Sequence, residues 1–444
     1  EAEMPGVGLA VKDGKFVTIA RDEDLPDGET VLDVDGAYIL PGIIDGHVHF
    51  REPGLEYKED FGTGSAAAAM GGVTCVLDMP NTKPPTADPD ALRLKQRLAE
   101  EKSWVDFGII GLVVQDNVEQ ILPMAEAGVV GYKCFLGETV GNIPAPDDGV
   151  LLDAMRLITQ TGLRIGFHAE NNAIMQHLIR KLKAEGRTDA LAHVDSRPPL
   201  AEVEAIQRVA LFAKYTGTKI HIYHLSSQDG VEMVAEWQDK GVDITAETGA
   251  HYCFLSSDRM KELGSILRMN PPVRSSEHGE ALLQGLITGQ VSMIATDHSP
   301  HTREEKLNDD IWKAISGFVG VETSVPVFLS EAVNAGKMSL REFVRLTSYG
   351  PSRTWNLYPT KGAIRVGSDA DLTIVDLNKP WEINSEKLHS KNRVTPFDGW
   401  KGKGMPIATI VRGQVVMQKG ELLGQPQGRI VCPSDRRETS AVAA

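Results

Sequence analysis

The sequence predicts an α/β protein built on a (β/α)8 barrel, with a small β module assembled from its two chain ends. Three observations predict this. Eight short apolar runs alternate with helix-patterned stretches through the middle of the 444-residue chain, as expected for βαβ units and a parallel sheet. Five of those runs end in, contain or are followed by a residue of metal-ligand type, and barrel enzymes collect such residues at one face. The two ends of the chain instead carry short β patterns with Gly and Asp turns.

In order, the barrel strands are expected at Leu40–His47, Val73–Leu77, Val105–Val113, Val129–Phe135, Arg164–His168, Lys219–His224, Val242–Thr248 and Val291–Thr296. Helices are expected at Tyr57–Met70, stopping at Gly71-Gly72, and at Asp88–Glu101, Asp148–Thr161, Pro199–Tyr215 and Gly230–Asp239. Eight strands favour a closed barrel over an open doubly wound sheet. At the ends, Val7–Val17, Thr30–Tyr38, Ala370–Asp376 and Ile407–Gln418 read as strands. Neither end has enough strands to be stable alone, so they are expected to pair. The tail Gly424–Ala444 is rich in Gly, Pro, Arg and Ala, lacks periodicity and reads as a loose arm.

Composition narrows the function. Hydrophobic residues make up 41% and charged residues 24% of the chain, an ordinary globular balance. A net charge of -15 argues against nucleic acid or an anionic membrane surface as partner, since both need basic patches. The four cysteines lack paired spacing, so neither a disulfide framework nor a cysteine zinc site is expected. Cys75 and Cys134 lie in apolar runs and read as buried free thiols, which fits a reducing, cytoplasmic location. No apolar run is long enough for a membrane helix, and no signal-peptide pattern is present.

The chemistry begins at Gly46-His47-Val48-His49. Residues two apart in a strand face one side, so His47 and His49 converge at the end of the first barrel strand. Neutral imidazoles suit zinc and similar ions. Lys133 lies inside an apolar strand, where an ammonium is costly unless it is paired or neutralised. It can snorkel to the strand end, or its amine can add CO2 to form an anionic carbamate ligand. His168 and His224 end their strands, and Asp297 follows the last one in Ala295-Thr296-Asp297-His298-Ser299-Pro300-His301. Together these six residues could hold two divalent ions, most simply Zn2+, bridged by a carboxylated Lys133. Metal binding brings the pKa of water to about 7, and Asp297 could carry a proton from that water to a departing amide nitrogen.

The stretch Pro41–His49 resembles the opening metal motif of the amidohydrolase superfamily. Phe50-Arg51-Glu52-Pro53-Gly54, Met79-Pro80-Asn81-Thr82, Met269-Asn270-Pro271-Pro272-Val273-Arg274, Thr296–His301 and Thr395-Pro396-Phe397 resemble its dihydroorotase branch. The resemblance runs from about Val7 to Val416. It implies a TIM barrel over residues 41–361 and a β-sandwich from residues 1–40 plus 362–444. It also implies a binuclear site of His47, His49, carboxylated Lys133, His168, His224 and Asp297, with Asp297 catalytic. Arg51, Asn81 and His301 match the residues that hold a substrate carboxylate in similar dihydroorotases, and Asn270 is expected beside them. The implied reaction is hydrolysis of a cyclic amide, first of all the interconversion of dihydroorotate and N-carbamoyl-aspartate in pyrimidine biosynthesis. The implied partners are a small cyclic substrate and further copies of the chain, as a dimer or tetramer.

Other segments point elsewhere within the same chemistry. His168-Ala169-Glu170-Asn171, Asp195–Pro199 and Glu202–Ile206 resemble allantoinases and hydantoinases, and Ala246–Tyr252 departs from the dihydroorotase pattern. The Tyr that dihydropyrimidinases carry shortly after the bridging lysine does not follow Lys133. An allantoinase or hydantoinase is therefore the alternative. A non-catalytic scaffold is disfavoured, because such homologues lose ligands and this chain keeps all six. Of the remaining histidines, His177, His193, His278 and His389 are expected to be exposed. His221, at odd spacing from His224, is expected on the opposite strand face. His298 is expected to brace the loop, and Gly317–Gly320 to form a loop beside the barrel mouth.

Overall fold

The structure is a computed structural model that describes residues 3–137, 141 and 143–433. Its strands, in chain order, are β1 Val7–Lys12, β2 Lys15–Arg21, β3 Tyr38–Pro41, β4 Ile43–Val48, β5 Val73–Asp78, β6 Asp106–Leu112, β7 Gly131–Phe135, β8 Arg164–His168, β9 Lys219–Ile222, β10 Ile244–Thr248, β11 Met293–Ile294, β12 Leu372–Glu382, β13 Lys401–Val411, β14 Gln414–Gln418 and β15 Glu421–Leu422.

Strands β4 to β11 pair in sequence order as a parallel sheet, and a parallel bridge between Val48 and His298 brings the first strand back to the last. Each run is short and buried apart from Lys219 and Thr245, as strands covered on both faces must be. Helices lie between them. Phe61–Met70 is capped by Asp60, which accepts from the Thr63 N–H at 2.9 Å. Asp148–Thr161 is capped by Asp147, which accepts from the Val150 N–H at 2.9 Å, and ends at Gly162 with φ 72. The barrel interior is filled by Ile44, Leu77, Ile110, Tyr223, Met293 and Trp355.

The expected strand Leu40–His47 is two strands. Residues on either side of Gly42 join different sheets, β3 pairing with β12 and β4 with β5. A Cβ at Gly42 would lie 2.4 Å from Thr74 Oγ1 and 2.5 Å from Asp371 Cβ, so the crossing needs a residue without one. The last barrel strand is also shorter than expected, because regular pairing with β10 covers only Met293 and Ile294.

The chain ends form two antiparallel layers. β15, β14, β13, β12 and β3 make one sheet and the β1–β2 hairpin makes the other. Phe16 packs with Leu372, Ile374, Ala408 and Ile410 between them. Residues 30–37, expected as a strand, contain none. The tail departs from a loose arm over its described part. Residues 428–431 run along β6, with the Val431 N–H donating to Phe107 O at 2.8 Å and the Phe107 N–H to Arg429 O at 3.0 Å. Val431 is buried against the barrel interior, and that contact outweighs the tail's polar composition. Residues 434–444 of the expected arm lie outside the described residues.

Candidate active site

All six expected ligands meet at the C-terminal end of the barrel. His47 and His49 leave the end of β4, Lys133 lies on β7, His168 ends β8, and His224 and Asp297 lie just beyond β9 and β11. Asp297 Oδ1 is 3.1 Å from His49 Nε2 and 3.3 Å from His47 Nε2. Lys133 Nζ is 2.8 Å from His47 Nε2. Across the mouth, His168 Nδ1 faces His224 Nε2 at 2.9 Å. The set therefore divides into His47, His49 and Asp297 on one side and His168 and His224 on the other, with Lys133 beside His47.

The far nitrogens of three rings are tied to oxygen acceptors. His47 Nδ1 meets Glu247 Oε1 at 2.5 Å, His49 Nδ1 meets Asn81 Oδ1 at 2.8 Å, and His168 Nε2 meets Glu170 Oε2 at 2.8 Å. An N–H donated outward leaves the other nitrogen's lone pair facing the centre, the arrangement that orients histidine ligands. Burial, more than the Lys133 charge, holds His47 well below the usual imidazole range, and burial takes His49 down to about 3. His168 and His224 are also lowered, chiefly by burial. Neutral imidazoles around one carboxylate fit divalent metal ions.

Lys133 is fully buried. Its amine lies 4.3 Å from the Tyr223 ring centre and 5.0 Å from that of Phe135, and it forms no carboxylate ion pair among the described residues. Burial lowers its pKa to about 8, although Asp297 and Glu247 oppose the shift. Asp297 is pulled the other way: burial would raise it, but the adjacent imidazoles, His47 foremost, keep it well below the carboxylate range.

Backbone strain places two of these residues. His224 has φ 42 and Asp297 has φ 46, left-handed values that cost energy outside glycine and cluster at functional sites. β9 stops at Ile222, so period-two alternation no longer governs position 224. His221 therefore does not point away from the site. It is buried beneath it, with Nε2 3.1 Å from Glu247 Oε2. His193 is likewise buried rather than exposed, with Nε2 2.8 Å from Met269 O. His298 braces the loop as expected, its Nδ1 accepting from the Gly320 and Val321 N–H groups.

The cavity above the centre is lined by Arg51, Asn81, Asn270 and Ser316 as well as by the ligands other than His47. Arg51 is buried with φ 64, and strand geometry has ended before it. Its Nε donates to Pro300 O at 3.3 Å, and its Nη2 lies 3.2 Å from His301 Nε2. It pairs with neither Glu52, which takes Lys102, nor Glu56, which caps the Gly54 N–H. His301 is behind Arg51, with Lys58 Nζ 3.1 Å from its other nitrogen. Asn270 accepts from Ser316 Oγ at 2.9 Å. Sequence reasoning missed Glu247 as the partner of His47; a carboxylate inside the apolar run Val242–Thr248 was the available signal. A second group of acids, Asp106, Asp369 and Asp371, is filled by the Lys361 ammonium, which pairs with all three.

The Amidohydrolase family model matches residues 38–416. This chain belongs to the amidohydrolase family. The amidohydrolase is 37% identical to an L-hydantoinase of Paenarthrobacter aurescens over 419 residues, 94% of this chain and 92% of that one. It is also 37% identical to an allantoinase of Enterococcus faecalis over 418 residues, 92% of this chain and 91% of that one. Among solved structures, the L-hydantoinase (dihydropyrimidinase) from Arthrobacter aurescens matches with a TM-score of 0.94 at 37% identity over 96% of both chains. A D-hydantoinase matches at 0.89 and 30% identity, over 96% of this chain and 95% of that one. These relatives are named for hydantoin and allantoin, both ring ureides, and this amidohydrolase is a cyclic amidohydrolase. That these relatives are hydantoinases and an allantoinase moves the balance from the first expectation to its alternative.

Proposed function

We propose that this enzyme hydrolyses a ring amide of a cyclic ureide of the hydantoin or allantoin kind, at a centre of two divalent ions. His47, His49 and Asp297 would hold one ion, His168 and His224 the other, and a carboxylated Lys133 would bridge them. The observation that carries this is the convergence of all six side chains at one barrel mouth, three rings with their outer nitrogens tied to Glu247, Asn81 and Glu170. Zinc is the expected metal because imidazole-rich sites suit it. When bound, such ions activate water near neutral pH and polarise the scissile carbonyl.

The chain's own residues do the rest. Asp297 stands at the floor of the cavity as an ionised carboxylate, held by Ser299 Oγ donating at 3.0 Å. From there it takes a proton from the attacking water and returns it to the leaving nitrogen. The Asn270–Ser316 pair presents polar groups from the facing wall to the ring. Burial, by lowering the Lys133 pKa to about 8, leaves more of the amine as free base than in an ordinary lysine; its lone pair can add to CO2 with loss of a proton, and the resulting anion suits a place among four histidines.

A second reading, a ring bearing a carboxylate such as dihydroorotate, is favoured by one observation. Arg51 lines the cavity buried and without a carboxylate partner among the described residues. Metal analysis and a substrate panel test both readings. The purified protein should carry two ions, and Lys133→Ala should carry fewer. Hydantoins and allantoin should be turned over in preference to dihydroorotate. An alanine variant with both ions would sink the bridging role, and turnover of dihydroorotate alone would move the assignment to the second reading.

A further inference from the structure

The two halves of the centre lie on different strands, and three of the four histidine rings have an outer oxygen partner. Asn81 meets His49, in one half, and Glu170 meets His168, in the other. Glu247, on β10, touches one member of each half. Its Oε1 meets His47 Nδ1 at 2.5 Å and accepts from the His224 backbone N–H at 3.4 Å. Its Oε2 meets His221 Nε2 at 3.1 Å, and His221 Nδ1 is in turn 2.9 Å from Thr245 Oγ1.

We propose that Glu247 is a positioning residue that couples the two halves of the metal centre, fixing the His47 ring and the strained His224 backbone through one carboxylate. The inference rests on the reading of the centre given above. Two further observations support it. His224 has a left-handed φ of 42, a conformation that persists in a non-glycine residue only when its surroundings hold it. The Glu247 contact supplies such a hold at the residue's own N–H. Glu247 is also 1% exposed and forms no ion pair with lysine or arginine among the described residues. A buried carboxylate without a cationic partner is costly. A divalent ion held by His47 would offset that cost through the ring that Glu247 contacts.

A carboxylate that touches both halves predicts a shared fate for the two ions. Glu247→Gln keeps the size but removes the charge and one acceptor. Outer partners of metal-bound histidines typically contribute about 10–100-fold in metal affinity. Chelator titration of the purified protein, read by metal analysis, should show Glu247→Gln losing both ions together at least 10-fold more readily than the parent. Glu170→Gln, which touches one half, should lose one ion and keep the other. The visible spectrum of the cobalt-substituted protein should change in the Glu247 variant at full loading. Should Glu247→Gln fail to fold, Glu247→Asp retains the charge but lacks the reach to hold both groups, and should show the same joint loss in smaller measure. Loss of a single ion from the Glu247 variants, or unchanged retention of both, would overturn the proposal. A parent protein without two ions would instead overturn the binuclear reading and leave the Glu247 contacts as structural.

Discussion

Asp297 is the residue where geometry and charge bear most directly on turnover. Its carboxylate is within 3.3 Å of two imidazoles and opens to the cavity, so Asp297→Asn removes a proton carrier while preserving shape. A general acid–base group contributes about 10²–10⁴-fold, and kcat should fall by at least the lower figure. Near-normal turnover would place the shuttle elsewhere. Arg51 addresses substrate charge. Both nitrogens of His301 face cationic groups, Arg51 and Lys58, although a neutral imidazole has one lone pair to offer. Lys58 is paired with Glu305 at 2.9 Å, whereas Arg51 lines the cavity and has no carboxylate partner among the described residues, so its charge is the one available to an anionic ring substituent. Arg51→Met should lower kcat/KM for carboxylate-bearing rings while sparing neutral hydantoins, since a charged hydrogen bond contributes about 1.5–3 kcal/mol. Equal losses on both substrates would make Arg51 a brace for the Pro300 loop. These residues were readable in the sequence because each ends or follows an apolar run. The place of His221 was not, because period two predicts which side of a strand a residue faces but not where a strand stops.

Strands and helices were legible wherever one local rule dominated. Asp148–Thr161 agrees at both ends because an aspartate cap and a left-handed glycine mark it. Arg164–His168 agrees because both its faces are buried. The failures came from partners distant in sequence: Gly42 splits an apolar run between two sheets, and β6 captures the tail through Phe107 and Val431. Packing inside the barrel makes a prediction at this scale. Gly166, in the middle of β8, faces the Tyr223 ring, and a Cβ there would lie 2.1 Å from it. Tyr223 itself lies 4.6 Å from the His47 ring and 5.9 Å from Trp355, so it has nowhere to retreat. Gly166→Ala should cost about 1–3 kcal/mol by overpacking and lower Tm, with metal retention falling too as His47 is displaced. A variant as stable as the parent would show that Tyr223 has room to turn.

At the scale of the whole molecule, the barrel has one weak seam. Other neighbouring barrel strands share three or four register pairs, whereas β10 and β11 share two, and β4 is bridged only past the end of β11, by the isolated Val48–His298 pair. The His49 N–H donates to His298 O at 2.8 Å across that seam, and Thr296 is held to Asp45 by its N–H at 3.1 Å and its hydroxyl at 2.5 Å. The proposed ligands straddle it: His47 and His49 leave β4, and Asp297 follows β11. An ion held by all three would close the barrel where its hydrogen bonding is sparsest. Whatever binds only the folded state stabilises it, by about 2.7 kcal/mol at a hundredfold excess over Kd, and here that stabilisation should be local as well as global. Removing metal by chelation should therefore lower Tm and restore it on readdition. Amide exchange should quicken at His49 and over Met293–His298 and remain slow across the β7–β8 pair, whose four register pairs do not depend on that ion. Exchange that quickens evenly around the barrel, or not at all, would show that the strands close the seam without help from the centre.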